Sequence, residues 1–200
     1  MNINIRNNRR EVFLFIVVLG GRIKNCHIEL HDVRWVIGEQ IEDTFDQLCS
    51  EWFGDPIGLH IDSYIKIKFV DGYKVNVREK SKMKSNQIKQ SNEELKAQIY
   101  LWFINIGGYH SESLSELHYF GLVAAKTSKE AKEIAKNRWL TQAKKQHKDD
   151  IYQIKGTKGI DGFHSIKSIG KWGIELSPDE KKRSQLFVPD WYGFKRIDKN

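Results

Sequence analysis

The sequence predicts an α+β fold built from two tandem copies of one unit, each ordered roughly β-β-α-β-β, packed as a pseudo-dimer. Three observations lead there. An apolar run closed by Gly-Gly occurs twice, at Val12–Leu19 before Gly20-Gly21 and at Ile99–Ile106 before Gly107-Gly108. A constant offset of 87 residues then superposes Glu29-Leu30-His31 on Glu116-Leu117-His118, Val36 on Val123, Trp52 on Trp139, His60 on His147 and Asp62 on Asp149. Rare residues matching at one offset are the mark of an internal duplication. Finally, each copy carries one amphipathic helical stretch between strand-like runs, the alternation that places helices beside a sheet.

The elements of the first copy follow in order. Val12–Leu19 is apolar without interruption and bounded by glycines, which reads as a strand buried on both faces. Residues 1–21 also resemble a secretion signal, with Arg6, Arg9 and Arg10 ahead of the apolar run, yet eight residues are too few to cross a bilayer. Recurrence of the pattern at residue 99 argues for strands instead. Gly-Gly is expected to let the backbone turn sharply at the strand end. A second strand is expected near Val33–Ile37. Ile41, Phe45, Leu48 and Trp52 then fall on one helical stripe, with Glu39, Glu42 and Asp43 at the end where the dipole favours anions. Gly54-Asp55-Pro56 stops that helix. Ile65, Ile67 and Phe69, then Asp71-Gly72, then Tyr73, Val75 and Val77 spell a hairpin, since glycine accepts the positive φ of a two-residue turn.

In the second copy, Thr127-Ser-Lys-Glu130 reads as a capping box for a helix through Ala131, Ile134, Ala135 and Trp139. Asp161-Gly162-Phe163 is aligned with Asp71-Gly72-Tyr73 after a slip of three residues. The resulting division is an arm (1–10), a first copy (11–78), a Lys-rich linker (79–96), a second copy (97–177) and a charged, aromatic tail (178–200) whose aromatics are expected to pack back on the body.

Composition bounds the function. Of 200 residues 40% are hydrophobic, enough for a core and too many for wholesale disorder. Cys26 and Cys49 cannot make a disulfide framework, which suits reduced thiols in the cytoplasm. Net charge is +7, unevenly spread: residues 11–78 hold seven Lys/Arg against eleven Asp/Glu, and residues 97–177 hold twelve against eight. Opposite charges would help the copies dock, or the basic copy would meet an acidic ligand or protein partner.

The repeated Glu-x-His pairs, Glu29/His31 and Glu116/His118, are the first candidate site. In extended backbone both members of a pair point to one side, and four such side chains brought together would suit a divalent transition metal or acid–base work. Their structural alternative is local satisfaction of backbone groups. His60/Asp62 and His147/Asp149 form a second repeated set between helix and strand, where turn-type hydrogen bonding is the plain reading. Lys129, Lys132, Lys136, Arg138, Lys144 and Lys145 raise nucleic-acid binding, which the acidic first copy and the lack of a recognisable reader motif weigh against. Cys26-His27 offers poor thiol catalysis, because neighbours in a strand face opposite ways. No membrane segment is read. The expectation is a binding or accessory domain without catalysis, with a metal-dependent or acid–base enzyme and a nucleic-acid binder as alternatives.

Several phrases are those of a known family. Leu19-Gly-Gly-Arg22, the stretch from Asn25 to Glu39, Trp52-Phe-Gly54, Gly58-Leu-His-Ile-Asp-Ser-Tyr64 and Asp71-Gly-Tyr73, with Trp102 to Gly108, Glu116-Leu-His118 and Phe120-Gly-Leu-Val123, resemble the bacterial domain of unknown function 1543. The resemblance implies a soluble bacterial protein with one or two copies of the domain, and it carries no assigned activity or catalytic residue.

Overall fold

The computed structural model of the protein describes residues 11–87, 98–139, 144–148 and 163–198, with backbone alone at 84–87 and 144–148. The fold is α+β and dominated by sheet. By internal contacts the chain forms two units, the described parts of Met1–Lys66 with Pro189–Asn200, and Ile67–Val188.

The first unit is built on β1 (Phe13–Gly21), paired antiparallel with β2 (Leu30–Gly38). On the other side of β1 lies β3 (His60–Ile67), and β12 (Trp191–Arg196) closes the edge, giving the order β12-β3-β1-β2. Leu14 to Val17 are buried without a break, as expected of a central strand covered on both faces. Phe15, Val17 and Leu19 pack with Val36, Ile41, Leu48, Trp52, Leu59, Ile61 and Ile197. Each fully buried aliphatic or aromatic side chain contributes about 1.5–3 kcal/mol.

The expected helix is two pieces. Ile41–Thr44 is a 3-10 turn that passes into α1 (Phe45–Glu51), and Trp52 is already extended. The stripe is nonetheless buried as read. The Asp43 carboxylate accepts from the N–H groups of Glu39 and Gln40, which tightens the entry.

Gly20 and Gly21 correct the sequence reading. They do not turn the chain but continue β1, opposite His31 and Leu30. A β carbon on Gly21 would meet the Trp52 ring at 2.6 Å, and one on Gly20 would meet His60. Both are glycines because rings lie over them. Gly107 and Gly108 likewise lie within β6 (Tyr100–Tyr109).

The second unit holds two sheets. In one, β6 lies between β7 (Leu117–Ala125) and β8 (Lys144–Lys148), and β9 (Phe163–Ser165) also pairs with β6. Helix α3 (Ser128–Arg138) covers it through Ala131 and Ala135, against Ile104, Ile106, Val123 and Phe163. Half of the capping box forms: Thr127 Oγ1 accepts from Glu130 N–H at 3.2 Å, whereas Glu130 reaches past the cap and accepts from Lys126 N–H at 2.9 Å.

The other sheet has the order β10-β11-β5-β4, from β4 (Phe69–Val70), β5 (Tyr73–Glu79), β10 (Ser168–Ile169) and β11 (Trp172–Pro178). Asp71 and Gly72 make the expected turn, at φ 51° and 82°. Each copy supplies one hairpin. The register is symmetric: Trp172 pairs with Glu79, Pro178 with Tyr73, and Glu175 with Asn76 at the middle. The two hairpins are therefore equivalent at an offset of 99 residues, not 90. Phe163 is not the counterpart of Tyr73; it opens β9, paired with β6. The offset grows from 87 at His147 because the second copy has twelve more residues before its hairpin. Asp161 and Gly162 lie outside the described residues.

Within the stretch read as a linker, Lys80–Gln87 form α2, whose first N–H bonds to Lys171 O at 3.0 Å and whose Met83 lies over Gly173. The tail adds strand β12, with Trp191 stacked on Tyr64 while Tyr192 and Phe194 stay exposed. No described helix is long and apolar enough to cross a membrane.

Candidate functional site

His60 and Asp62 open β3, in a ladder rather than in the turn the sequence suggested. Gly20 lies beside them on β1, and His31 lies opposite Gly20 on β2. This brings both repeated pairs of the first copy into one cluster. His31 Nε2 is 3.2 Å from Asp62 Oδ2 and 3.6 Å from Glu29 Oε1. His60 Nε2 is 3.2 Å from Asp62 Oδ1 and 3.7 Å from Glu29 Oε2. Asp62 thus bridges two imidazoles with its two oxygens.

Exposure grades across the cluster. The His60 side chain is 2% exposed, Asp62 30%, and His31 53%. The Phe194 ring lies against the His60 imidazole, centroids 4.0 Å apart, and is itself mostly exposed. The cluster therefore has a buried floor and an open rim.

Hydrogen-bond chemistry fixes the floor. His60 Nδ1 is 2.8 Å from Gly58 O, and a carbonyl only accepts, so Nδ1 carries the hydrogen. The other nitrogen, Nε2, faces the Asp62 and Glu29 carboxylates. In the neutral ring, Nε2 and the two carboxylates are acceptors gathered at one point, a set that a cation placed among them would satisfy. Gly58 is held in turn by its N–H, which donates to Asp198 Oδ2 at 2.9 Å. The Arg196 guanidinium beside Asp198, together with that Gly58 N–H, holds the Asp198 carboxyl down at about 2.

Other titratable residues fall elsewhere. Asp32 pairs with Arg34 and accepts from Val33 N–H, apart from the cluster's contacts. Cys26 is exposed, Cys49 Sγ lies 3.0 Å from Ile197 O, and neither is in a disulfide. Glu116 and His118 belong to the second unit and contact each other at 3.6 Å, matching the Glu29–His31 separation. Asp149 lies outside the described residues, as does the side chain of His147. Among the described residues no three or more His, Cys, Asp and Glu side chains stand in a geometry ready to hold a metal ion. The Lys residues of α3 alternate with Glu130 and Glu133, and Arg138 is bound to Asp71. Two clefts of the second unit, about 410 and 610 Å³, are lined by none of the repeated Glu, His and Asp residues.

Phe194 and Gly58 were not legible as site residues. Phe194 lies far along the chain, in a strand that no periodicity joins to β3. Gly58 carries its role in its peptide group, which sequence does not display.

Comparison with known proteins agrees with the duplication. The family model described as Domain of Unknown Function (DUF1543) matches twice, at residues 26–77 and 113–162. Among solved structures, the crystal structure of protein Il1583 from Idiomarina loihiensis is similar, with a TM-score of 0.65 at 23% identity over 95% of this chain and 100% of that one. At that identity the likeness is one of fold. No curated protein matches. Both matched regions carry a Glu-x-His pair, and the chain belongs to the DUF1543 family, with two tandem copies of its domain.

Proposed function

We propose that the protein is a binding or accessory module acting in the cytoplasm, and that its first unit captures a small positively charged ligand between Glu29, His31, His60 and Asp62. One observation carries this: the buried Nε2 of His60 faces two carboxylates while Nδ1 is committed to Gly58. The cluster is an acceptor set that a cation would complete. The ligand's chemistry is that of an ammonium group or a divalent transition metal, and Phe194 at the rim offers an aromatic face to either. The tandem copies are read as a dimer of the unit copied into one chain, which the symmetric register about Asn76 and Glu175 supports.

Histidine-selective NMR tests the binding, with methylammonium chloride and zinc chloride titrated separately. Saturable shifts of the His31 and His60 ring signals with one of them are expected, and the one that acts identifies the class. Rings unmoved by both would overturn the proposal.

Acid–base catalysis is the second reading, favoured by Asp62 holding one nitrogen of a half-exposed His31. It requires that His31→Gln lower turnover of a bound ligand by far more than it weakens that ligand's binding.

A further inference from the structure

We infer that the second unit carries an equivalent site, so that one chain binds two ligands; this rests on the cation-binding reading of the first unit. The two units share one register around a glycine. In the first unit a single glycine, Gly20, organises the cluster: His31 is its ladder partner on β2, and His60 of β3 lies over it. In the second unit Gly107 occupies the same place in β6. His118 of β7 is its ladder partner on one side, and His147 of β8 is its ladder partner on the other.

Residues directly opposite one another in adjacent strands share a face of the sheet. The backbone therefore sets His118 and His147 on one face, at a position where Gly107 contributes no side chain. Glu116 is already 3.6 Å from His118, as Glu29 is from His31. Two separate strand pairings, one on each side of β6, set a histidine opposite that one glycine. A duplicated fold without a duplicated site would need neither histidine there. The Asp32–Arg34 ion pair of the first copy, which stands apart from the cluster, falls on Tyr119 and Gly121 in the second, with Tyr119 packed on Trp139.

The test uses the intact protein and the same two probes. The expected result is that His118 and His147 ring signals shift along with those of His31 and His60, and that His118 and His147 still respond in His31→Ala and in the gentler Glu29→Gln. Native mass spectrometry should then count two bound ions in the wild type and one in each variant. If His31 and His60 respond while His118 and His147 stay fixed, with one ion per chain, the second site does not exist and the first stands. Silence at all four rings would overturn both readings.

Discussion

Gly20 and His60 fit together because Gly20 has no β carbon: one placed there would stand 2.5 Å from His60 Nε2, 2.9 Å from Cε1 and 3.1 Å from Asp62 Oδ2. His60 is buried and cannot retreat into solvent. Gly20→Ala should therefore cost about 1–3 kcal/mol, the range for overpacked cores, and should separate His60 from Asp62. Urea unfolding gives the first quantity and the His60 ring shift the second. Wild-type values for both would mean that the glycine is not what admits the imidazole.

Asp198 should make the first unit acid-sensitive. Its carboxyl is held at about 2 against an ordinary 3.8, chiefly by Arg196 and then by the Gly58 N–H. A depressed acid stabilises the fold above the unfolded value and loses that contribution as pH falls through the folded one. The midpoint of unfolding for Asp198→Asn should lie below wild type at about pH 6, and the gap should close between about pH 4 and pH 2. A gap of constant size would assign the effect to shape instead of charge.

Asp71 performs two tasks in the second unit. It sits at φ 51°, which Asp and Asn tolerate, and its carboxylate accepts from Ala124 N–H at 3.0 Å and Arg138 Nη1 at 2.7 Å. Asp71→Asn should be mild, under about 1 kcal/mol, because it keeps the turn and one acceptor. Asp71→Val should cost more than about 2 kcal/mol by straining the turn and stranding a donor. Equal effects in thermal unfolding would argue against the clasp.

The cap of α3 gives a smaller, cleaner number. Thr127→Ala removes the acceptor for Glu130 N–H and should cost about 0.5–2 kcal/mol, whereas Thr127→Ser should be close to neutral. Calorimetry of the pair decides whether the hydroxyl or the methyl matters.

What the sequence shows best is what neighbours determine. The β1 run, the Asp71-Gly72 turn and the Thr127 cap were legible because each depends on residues within a few positions. Gly20-Gly21 was legible as a signal and misread as a turn, since the rings that need the space come from Trp52 and His60, across the sheet. The hairpin offset of 99 was hidden by a chance likeness between Asp71-Gly72-Tyr73 and Asp161-Gly162-Phe163, which only strand pairing resolves. The candidate site was half visible. Its polar residues stood out by repetition, but the link from Glu29-x-His31 to His60-x-Asp62 depends on β1 lying between β2 and β3.

The pairing of Trp191 with Tyr64 sets an order of events on the ribosome. β3 is made first, and the strand that covers its outer edge follows well over a hundred residues later. At about 5–20 residues per second the edge stays bare for several seconds. During that interval it presents unpaired N–H and C=O groups to any other nascent chain. A molecule cut ahead of Trp191 would keep that edge for good, so loss of β12 should show first as sticking between copies and only then as loss of binding.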